Sequence, residues 1–468
     1  MSKVRVVISK SIIYILFYLV QVKSCYWNSQ CPYGLYGSKT PYDTIRGDIR
    51  DHKISEGCQA VSVWTINRHG NRNPGTSVTV GMREMAALKD EVVASYDAGT
   101  SQLCAQDIEN FRHWSWNDTL DTSQSYLTGI GYEELYDIGK RIRQKYPHLL
   151  EGPANQFYFR PTNKQRTVTS CVAFVHGLTD GVSLNVTIED PWEQDDIIRP
   201  YQNCERYMQD VRGGDTLAEQ LDSYYKSAEY VTVQNAVQRR LGITTQLDVD
   251  NIFSIYELCR FYRSWTPNLQ SPWCAAFTNE ELLVLEYYDD VRHYYRNGHG
   301  SWVNVNLGKP ALKDLYENFE SVVNGAGNKV TSYFTHDTMM EMVYCAMGLF
   351  GEDAPLESDA RNDNRVWRTS YIGAFSVNVI AVLNSCNEGG SQTYRVQIFI
   401  NEKETPLCPL EGCTWEEFRD KFQVFTSANL DFCSMDYERE EIESPQPNRA
   451  FTAIAPIKKS SRSIYLDY

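Results

Sequence analysis

The sequence lacks the features of a chain built from repeated or loosely joined units. It contains no internal repeat, no low-complexity tract and no long linker rich in Gly, Ser or Pro, so no flexible domain boundary is visible. The chain has few basic residues relative to acidic ones: 45 Lys and Arg and 60 Asp and Glu give a formal net charge of −15. Such an acidic surface argues against nucleic acid and against an anionic membrane as the main partner.

Long apolar runs are missing beyond the first residues. The stretch from Ile12 to Val22 follows a basic start and is shorter than the about 20 apolar residues that a spanning helix requires. Small residues follow it before Cys25, an order typical of a cleaved signal peptide, here residues 1–24. We therefore expect a secreted protein or one in the lumen of the endoplasmic reticulum or lysosome, without stable membrane insertion. A signal anchor is the alternative.

The 13 cysteines lack the paired Cys-x-x-Cys spacing of zinc modules. Several disulfides are therefore expected rather than a metal site, and the odd count leaves at least one thiol free or paired between chains. Two acceptor sequences for N-glycosylation, which begin at Asn117 and Asn185, have meaning only in the secretory route. Cysteines and acceptor sequences together indicate an oxidising compartment.

Two junctions between a strand and a turn organise the rest of the chain. Residues 60–66 predict a buried strand that leads into Arg68-His69-Gly70-Asn71-Arg72, and residues 330–334 predict another before Thr335-His336-Asp337. In open α/β sheets, ligands bind where strands end and helices begin. We therefore expect an α/β fold with a doubly wound, mostly parallel sheet and a ligand site at these two junctions.

The region between the two junctions is predicted to be a helical cap. Residues 190–325 contain aromatic and Leu-rich segments that Pro and Gly separate, so we interpret them as a mainly helical insert. Residues 25–189 and 326–468 then form the two parts of the α/β core, and the second part ends in a polar tail. Two further strands, around an Asn/Gly/Ser turn, are predicted within this second part.

The residues of the first junction suit phosphoryl transfer. A phosphate monoester dianion repels nucleophiles, so its cleavage needs cations around the attacking atom. Arg68 and Arg72 flank His69 and could supply forked donors, while a neutral imidazole can attack phosphorus and form a phosphohistidine. A lone His-Gly would indicate a structural strand end, whereas the complete Arg-His-Gly-x-Arg-x-Pro string favours a functional site.

That string resembles the signature of the histidine phosphatase superfamily, in its acid phosphatase and phytase branch. Residues 158–170 resemble the segment in which that branch carries a third phosphate-binding arginine, which is Arg166 here. His336-Asp337 resembles the late element in which the histidine binds the phosphoryl group and the aspartate protonates the leaving oxygen. The resemblance spans residues 36–435 with gaps, and it implies catalysis by His69 and Asp337 without a metal or an organic cofactor.

Within this branch, two segments are similar to the multiple inositol polyphosphate phosphatases. They are Tyr36–Tyr42, with the sequence YGSKTPY, and the segment around Cys204. The resemblance implies a small, polyanionic phosphorylated substrate such as a phytate-type inositol polyphosphate or bisphosphoglycerate. It makes Lys39 a candidate substrate contact, and Lys164 is a second candidate because it stands close to Arg166.

Several alternatives remain at this point. His336-Asp337 is the form found in other phytases and acid phosphatases, which leaves a broad-specificity secreted acid phosphatase as an alternative. A phosphatase-like protein that binds anions without turnover is a further alternative, although the intact motif residues argue against it. Asp337 could cap a helix rather than donate a proton. His293 and His299 could suggest a metal or phosphate patch, but without a carboxylate at ligand spacing they predict a surface helix end.

Overall fold

The computed structural model describes residues 34–266, 271–409 and 411–437. The predicted signal peptide and the predicted polar tail, residues 458–468, lie outside the described residues. Within the described part of the chain, no helix is both long and apolar enough to cross a membrane.

A mixed sheet of seven strands lies at the centre of the fold, with the strand order β2-β3-β1-β4-β5-β6 and with β7 beside β5. Strands β2, β3 and β1 are parallel, whereas β4 runs antiparallel to β1 and continues into antiparallel pairs. The predicted α/β fold is confirmed, and its parallel part carries both motifs. The strands are β1 (Cys58–Arg68), β2 (Phe157–Pro161), β3 (Val330–Thr335), β4 (Asn378–Glu388), β5 (Ser391–Ile400), β6 (Lys403–Glu404) and β7 (Cys413–Thr414).

Helices surround the sheet and fill most of the segment between β2 and β3. Side-chain caps begin several of them: Thr128 accepts a hydrogen bond from the amide of Gly131, and Thr278 forms a capping box with Glu281. The helices are α1 (Thr76–Ala86), α2 (Lys89–Asp97), α3 (Ala105–His113), α4 (Gly129–Lys145), α5 (Gln165–Thr179), α6 (Asp215–Lys226), α7 (Ala228–Leu241), α8 (Val249–Trp265), α9 (Asn279–Asn297), α10 (Trp302–Val323), α11 (Asp337–Ala346), α12 (Thr369–Ile372) and α13 (Trp415–Phe422).

The last helix of the predicted cap packs directly on the sheet. Asp314 of α10 accepts hydrogen bonds from the indole of Trp64 on β1 at 2.7 Å and from the hydroxyl of Tyr333 on β3 at 2.8 Å. Trp64 is fully buried and Tyr333 nearly so, because the parallel strands are covered on this face. The division of the chain into core and cap at residues 190 and 325 stays a prediction.

Disulfides are present, as expected, and their pairing is a finding of the structure. They join Cys58 to Cys386, Cys204 to Cys433, Cys259 to Cys274, and Cys408 to Cys413. Cys104 is also disulfide-bonded. Among the described cysteines, Cys171 and Cys345 are free and buried. A disulfide-bonded protein fits the secretory pathway.

A buried ion pair ties helix α4 to the residues that follow β5. Arg141 donates to both carboxylate oxygens of Glu402 at 2.7 Å, and the Glu402 side chain is fully buried. The hydroxyl of Tyr42 donates to the same carboxylate at 2.8 Å. The pair therefore joins the segment before β1, a core helix and the antiparallel edge of the sheet.

Replacing Arg141 by Leu should strongly destabilise the fold. Removing one partner of a buried pair leaves the other charge unpaired, which costs about 3–5 kcal/mol. Urea unfolding of Arg141→Leu would measure this loss. Arg50→Leu is the matched control, because the Arg50–Asp48 pair is at the surface and such pairs contribute little. Equal stability losses in the two variants would contradict the structural role of the Arg141–Glu402 pair.

Candidate active site

Two neighbouring parallel strands bring the two histidine motifs together. Arg68 at the end of β1 lies opposite Thr335 at the end of β3, and the amide of His69 donates to the Thr335 carbonyl at 2.9 Å. His69 and His336 therefore leave the sheet side by side, with ring centroids 5.5 Å apart and with both side chains buried. The carboxyl ends of these strands form the predicted site.

His69 is held as a neutral imidazole. Its Nδ1 lies 2.8 Å from the carbonyl oxygen of Gly70, which can only accept, so Nδ1 carries the proton and Nε2 keeps its lone pair. Burial lowers the pKa of His69 well below its ordinary value of 6.5, and the charges of Arg166 and Arg68 lower it further. Nε2 is consequently free to act as a nucleophile.

His336 is also neutral and is held from both ring nitrogens. Its Nδ1 accepts a hydrogen bond from Nη2 of Arg166 at 3.3 Å, and its Nε2 lies 3.1 Å from the hydroxyl of Thr162. Burial lowers the pKa of His336 well below the ordinary range, and Arg166 adds to this effect. The structure therefore brings Arg166, at the start of α5, into the same site as His69 and His336.

Asp337 is the first residue of helix α11 and is paired with Arg68. The Arg68 Nη2 atom lies 3.1 Å from Oδ2 of Asp337, whose side chain is 23% exposed. Burial acts to raise the pKa of Asp337, but Arg68, followed by His293 and Lys39, holds it well below the usual range. His336 occupies the N-cap position of this helix, and Asp337 lies in its first turn, where Oδ1 accepts a hydrogen bond from the amide of Thr338 at 2.9 Å. The roles of Asp337 as helix cap and as proton donor both stay predictions.

Arg68 is fully buried and is fixed on several sides. Its Nη1 donates to the carbonyl oxygens of Ser38, at 2.7 Å, and of Gly373, and its guanidinium lies 4.7 Å from the ring centroid of Phe375. Its other terminal nitrogen, Nη2, faces the carboxylate of Asp337. Arg68 is thus held rigidly between the backbone and the carboxylate.

The site is surrounded by cations that have no carboxylate partner. Within the described residues, none of Lys39, Arg72, Arg166, Arg199 and Arg292 forms an ion pair, although the protein as a whole is acidic. Their charges act on one another and on the two histidines: burial, Arg166 and Arg68 lower the pKa of Arg72 to about 9. Arg199 lowers the pKa of His336. Burial acts to lower the pKa of Arg292, but Tyr288, followed by Asp289 and Asp337, raises it above its ordinary value. This surplus of positive charge can accommodate an anion with several charges.

Lys39 enters the site through a tightly held N-terminal segment. Ser38 donates through its amide to Oδ2 of Asp289 at 3.0 Å, and Lys39 Nζ lies 2.8 Å from the Ser38 hydroxyl. Gly37 has a φ of +55°, and a Cβ on it would lie 2.2 Å from Asp289. Burial and the nearby charge of Arg260 lower the pKa of Lys39 to about 7.

A family model described as histidine phosphatase superfamily, branch 2, matches residues 61–401. This chain belongs to that superfamily. The resemblance seen in the sequence is thereby confirmed, and the fold is the one that the phosphatase motifs implied.

Individual relatives and solved structures match most of the length of this chain. It is 30% identical to multiple inositol polyphosphate phosphatase 1 of Drosophila melanogaster over 407 residues, which are 84% of this chain and 86% of the relative. Identity to the Homo sapiens protein of the same name is 24% over 414 residues, or 81% and 83% of the two chains. The phytase from D. castellii matches in structure with a TM-score of 0.65, at 19% identity over 84% of both chains. Bifidobacterium longum multiple inositol polyphosphate phosphatase, in complex with inositol hexasulfate, has a TM-score of 0.61 at 16% identity over 81% and 94% of the chains.

Glu134, which no sequence pattern indicated, supports the loop after His69. The amide of Asn71 donates to its carboxylate at 2.8 Å, as does the hydroxyl of Ser376. Burial raises the pKa of Glu134 to about 7. Gly131, on the same helix, contacts this loop so closely that a Cβ would lie 2.1 Å from the Asn71 carbonyl oxygen. No local pattern marks Glu134, because a glutamate on an amphipathic helix predicts exposure.

The expectation for His293 was wrong. His293 is buried rather than at a surface helix end, and its Nδ1 lies 2.8 Å from Oε1 of Glu341 on another helix. This carboxylate partner is far away in the sequence, so spacing gave no sign of it. His299 lies within 2.8 Å of the Leu349 carbonyl oxygen and takes no part in that pair. Across the described ranges, no group of three or more His, Cys, Asp or Glu residues is placed to hold a metal ion.

Three other predicted residues lie at the surface. Lys164 is exposed at the N-cap of α5, and in the described structure its side chain forms no hydrogen bond or ion pair. Asn117 and Asn185 are exposed, as a glycosylation site requires. Substrate contact by Lys164 and glycosylation at the two asparagines stay predictions.

The neutral state of His69 can be measured in the ligand-free phosphatase. Because its pKa is lowered, His69 should stay neutral as the pH falls through 6.5, with the proton on Nδ1. Nitrogen-15 NMR of labelled histidines reports both the tautomer and the protonation state, and the spectrum of His69→Ala assigns the signal. Protonation of His69 at or above pH 6.5 would contradict the electrostatic description of the site.

Proposed function

We propose that this protein is a phosphomonoesterase that hydrolyses inositol polyphosphates of the phytate type through a phosphohistidine at His69. The observation that carries the proposal is the neutral His69, with a free Nε2, among Arg68, Arg72 and Arg166. Bisphosphoglycerate belongs to the same chemical class of substrate. The proposal includes no metal or organic cofactor, because histidine and arginine side chains supply the nucleophile and the positive charge.

In the first step, Nε2 of His69 attacks phosphorus in line with the leaving oxygen. A nitrogen–phosphorus bond forms and the phosphorus–oxygen bond to the inositol breaks. Arg68, Arg72, Arg166 and His336 bind the phosphoryl oxygens, whose charge they neutralise in the transition state. Asp337 gives its proton to the departing alkoxide, which is otherwise a poor leaving group.

Substrate binding provides the protonated form of Asp337. In the ligand-free protein Arg68 keeps this carboxyl ionised. An incoming phosphate dianion competes for the positive charge of Arg68 and adds negative charge nearby, and both effects raise the pKa of Asp337. In the second step, water attacks the phosphohistidine and Asp337 accepts its proton. Inorganic phosphate then leaves and His69 is neutral again.

The cations outside the reaction centre support a substrate with several phosphates. One phosphoryl group engages the arginines around His69 and His336. In the described structure, no ion pairs form at the nearby Lys39, Arg199 and Arg292. Additional phosphates on an inositol ring would pair with these charges. A broad-specificity secreted acid phosphatase is a second candidate, favoured by the His336-Asp337 form of the late motif.

We also infer that the protein acts within the secretory pathway or outside the cell. The disulfides and the exposed acceptor asparagines Asn117 and Asn185 support this location. The substrate is then a small phosphorylated anion, with no nucleic acid or membrane partner proposed.

The general acid can be identified from the leaving group. Asp337→Asn should reduce kcat on inositol hexakisphosphate by about 10²–10⁴, because an alkoxide needs a proton as the bond breaks. Loss on p-nitrophenyl phosphate should be far smaller, since p-nitrophenolate delocalises its charge. Phosphate release from both substrates across pH measures the difference, and His69→Ala serves as the inactive control for both. Equal losses would assign Asp337 to positioning, and residual turnover by His69→Ala would refute the phosphohistidine.

The contribution of the cations outside the reaction centre to substrate binding can be tested separately from the chemical step. Arg292→Gln and Arg199→Gln should each raise KM for inositol hexakisphosphate about tenfold, since a hydrogen bond to a charged group contributes about 1.5–3 kcal/mol. The effect on p-nitrophenyl phosphate, with its single phosphate, should be much weaker. Arg239→Gln, at an exposed position on α7, is the matched control. Equal changes for both substrates would favour the broad-specificity alternative.

A further inference from the structure

Two buried hydroxyl groups next to His336 have no role in the mechanism described so far. Thr162 directly follows β2, and its amide donates to the carbonyl oxygen of Phe334 on the neighbouring strand β3 at 3.0 Å. This contact brings Thr162 beside His336, which directly follows β3. The Thr162 Oγ1 atom lies 3.1 Å from Nε2 of His336 and 2.9 Å from Oγ1 of Thr167 on α5. Thr162 is 1% exposed and Thr167 is fully buried.

The direction of each hydrogen bond in this chain of side chains follows from its two ends. At one end, Arg166 can only donate, so Nδ1 of His336 accepts and the proton of the neutral ring lies on Nε2. Nε2 therefore donates to Oγ1 of Thr162. At the other end, the Thr167 hydroxyl lies 2.8 Å from the carbonyl oxygens of Thr162 and Lys164, which only accept, so its proton points to one of them. The Thr162 hydroxyl thus accepts from His336 and donates to Thr167.

The opposite tautomer of His336 would disrupt this arrangement at both ring nitrogens. A proton on Nδ1 would point at the guanidinium of Arg166, which accepts no hydrogen bond. Thr162 would have to turn its proton from Thr167 to Nε2. Because these groups are buried, a lost hydrogen bond is not replaced by water and is costly. The two hydroxyl groups therefore favour the tautomer that leaves the lone pair of Nδ1 facing Arg166.

This tautomer determines how His336 can meet a phosphoryl group. A phosphoryl oxygen that accepts from Arg166 would face the Nδ1 lone pair, and two acceptors repel each other unless one gains a proton. A phosphate monoester monoanion carries such a proton, with a pKa of about 6. Its negative charge beside the ring also raises the pKa of His336. When the proton moves from the phosphoryl oxygen to Nδ1, the substrate becomes a dianion and His336 an imidazolium that donates to it.

We propose that Thr162, supported by Thr167, is a positioning residue that keeps the proton of neutral His336 on Nε2 and leaves Nδ1 open to a proton that arrives with the phosphoryl group. Thr162 accepts from Nε2 both before and after binding, so the imidazole ring keeps its orientation. Donors that are already in place stabilise charge in the transition state most effectively. The inference rests on the proposed function, since it assigns the support of a proposed phosphate ligand.

Nitrogen-15 NMR of labelled histidines tests this assignment in the unsubstituted protein, and the spectrum of His336→Gln identifies the signal. At about pH 5, below the pKa of about 6 of a phosphate monoester, ligand-free His336 should carry a proton on Nε2 alone. Saturation with inorganic phosphate should add a proton on Nδ1. A proton on Nδ1 in the ligand-free protein, or an unprotonated Nδ1 with phosphate bound, would overturn the proposal.

Thr162→Val replaces the hydroxyl by a methyl group of similar size and leaves Nε2–H without its acceptor. Part of the ligand-free His336 should then adopt the tautomer with the proton on Nδ1. Inhibition by inorganic phosphate should weaken about tenfold, because a buried donor is left unsatisfied. For the same reason, kcat/KM should fall about tenfold on both inositol hexakisphosphate and p-nitrophenyl phosphate, which present the same phosphoryl group.

Three further variants separate the hydroxyl from packing. Thr162→Ser keeps the hydroxyl and should restore the tautomer, with phosphate inhibition within about twofold of the unsubstituted protein. Thr167→Val should shift the tautomer in the same direction as Thr162→Val, and it tests the proposal if that variant does not fold. Thr179→Val is the matched control, since the Thr179 hydroxyl donates to the carbonyl oxygen of Val175 at the far end of α5.

Thermal unfolding of each variant identifies those that fold. The proposal is overturned by a folded Thr162→Val that keeps the original tautomer or the original phosphate inhibition, and equally by a folded Thr162→Ser that restores neither. A shifted tautomer with weakened inhibition, both restored by serine, supports it. Failure of the proposed function has a different result: the unsubstituted protein would not release phosphate from inositol hexakisphosphate, or His69→Ala would remain active. The ligand-free tautomer of His336 can be measured in either case.

Discussion

The structure of the site depends on keeping several guanidinium groups close together in a buried place with few counter-charges. Arg68, Arg72 and Arg166 lower the pKa of nearby groups, and of the three only Arg68 is paired with a carboxylate in the described structure, that of Asp337. Backbone carbonyl groups and an aromatic ring around Arg68 reduce the cost of burying its charge. The remaining positive charge keeps both histidines neutral and makes the site complementary to an anion.

Chain segments that are distant in sequence provide this support. Ser38, Gly373 and Phe375 surround Arg68, and the amide of Ser376 donates to the carbonyl oxygen of His69 at 3.2 Å. Glu134 then holds the following turn by accepting from the Asn71 amide. The parallel strands determine where the two motifs lie in the fold. The connections described here determine how their side chains are oriented. Such orientation matters because electrostatic stabilisation requires donors that are in place before the reaction.

Helix α9 links the helical region to the reaction centre through three of its residues. Asp289 holds the segment that carries Lys39, Arg292 adds an unpaired charge, and His293 forms the buried pair with Glu341. In the proposed function, the first two residues would act on substrate position and on binding of additional phosphates. A helix outside the sheet would thereby adapt a common reaction centre to one class of substrate.

The α/β fold, the two junctions and the presence of disulfides could be predicted from the order of the amino acids alone. So could the residues that lie together at the candidate site, which are Arg68, His69, Arg72, Arg166, His336 and Asp337. These follow from short patterns, because a buried strand and the turn after it are encoded by adjacent residues. The Arg68–Asp337 pair, the support from Glu134 and the burial of His293 against Glu341 are visible only in the folded protein. Each of these depends on contacts between residues far apart in the chain, which local periodicity and spacing do not encode. The burial that shifts the pKa of His69 and Asp337 is likewise a property of the packed fold.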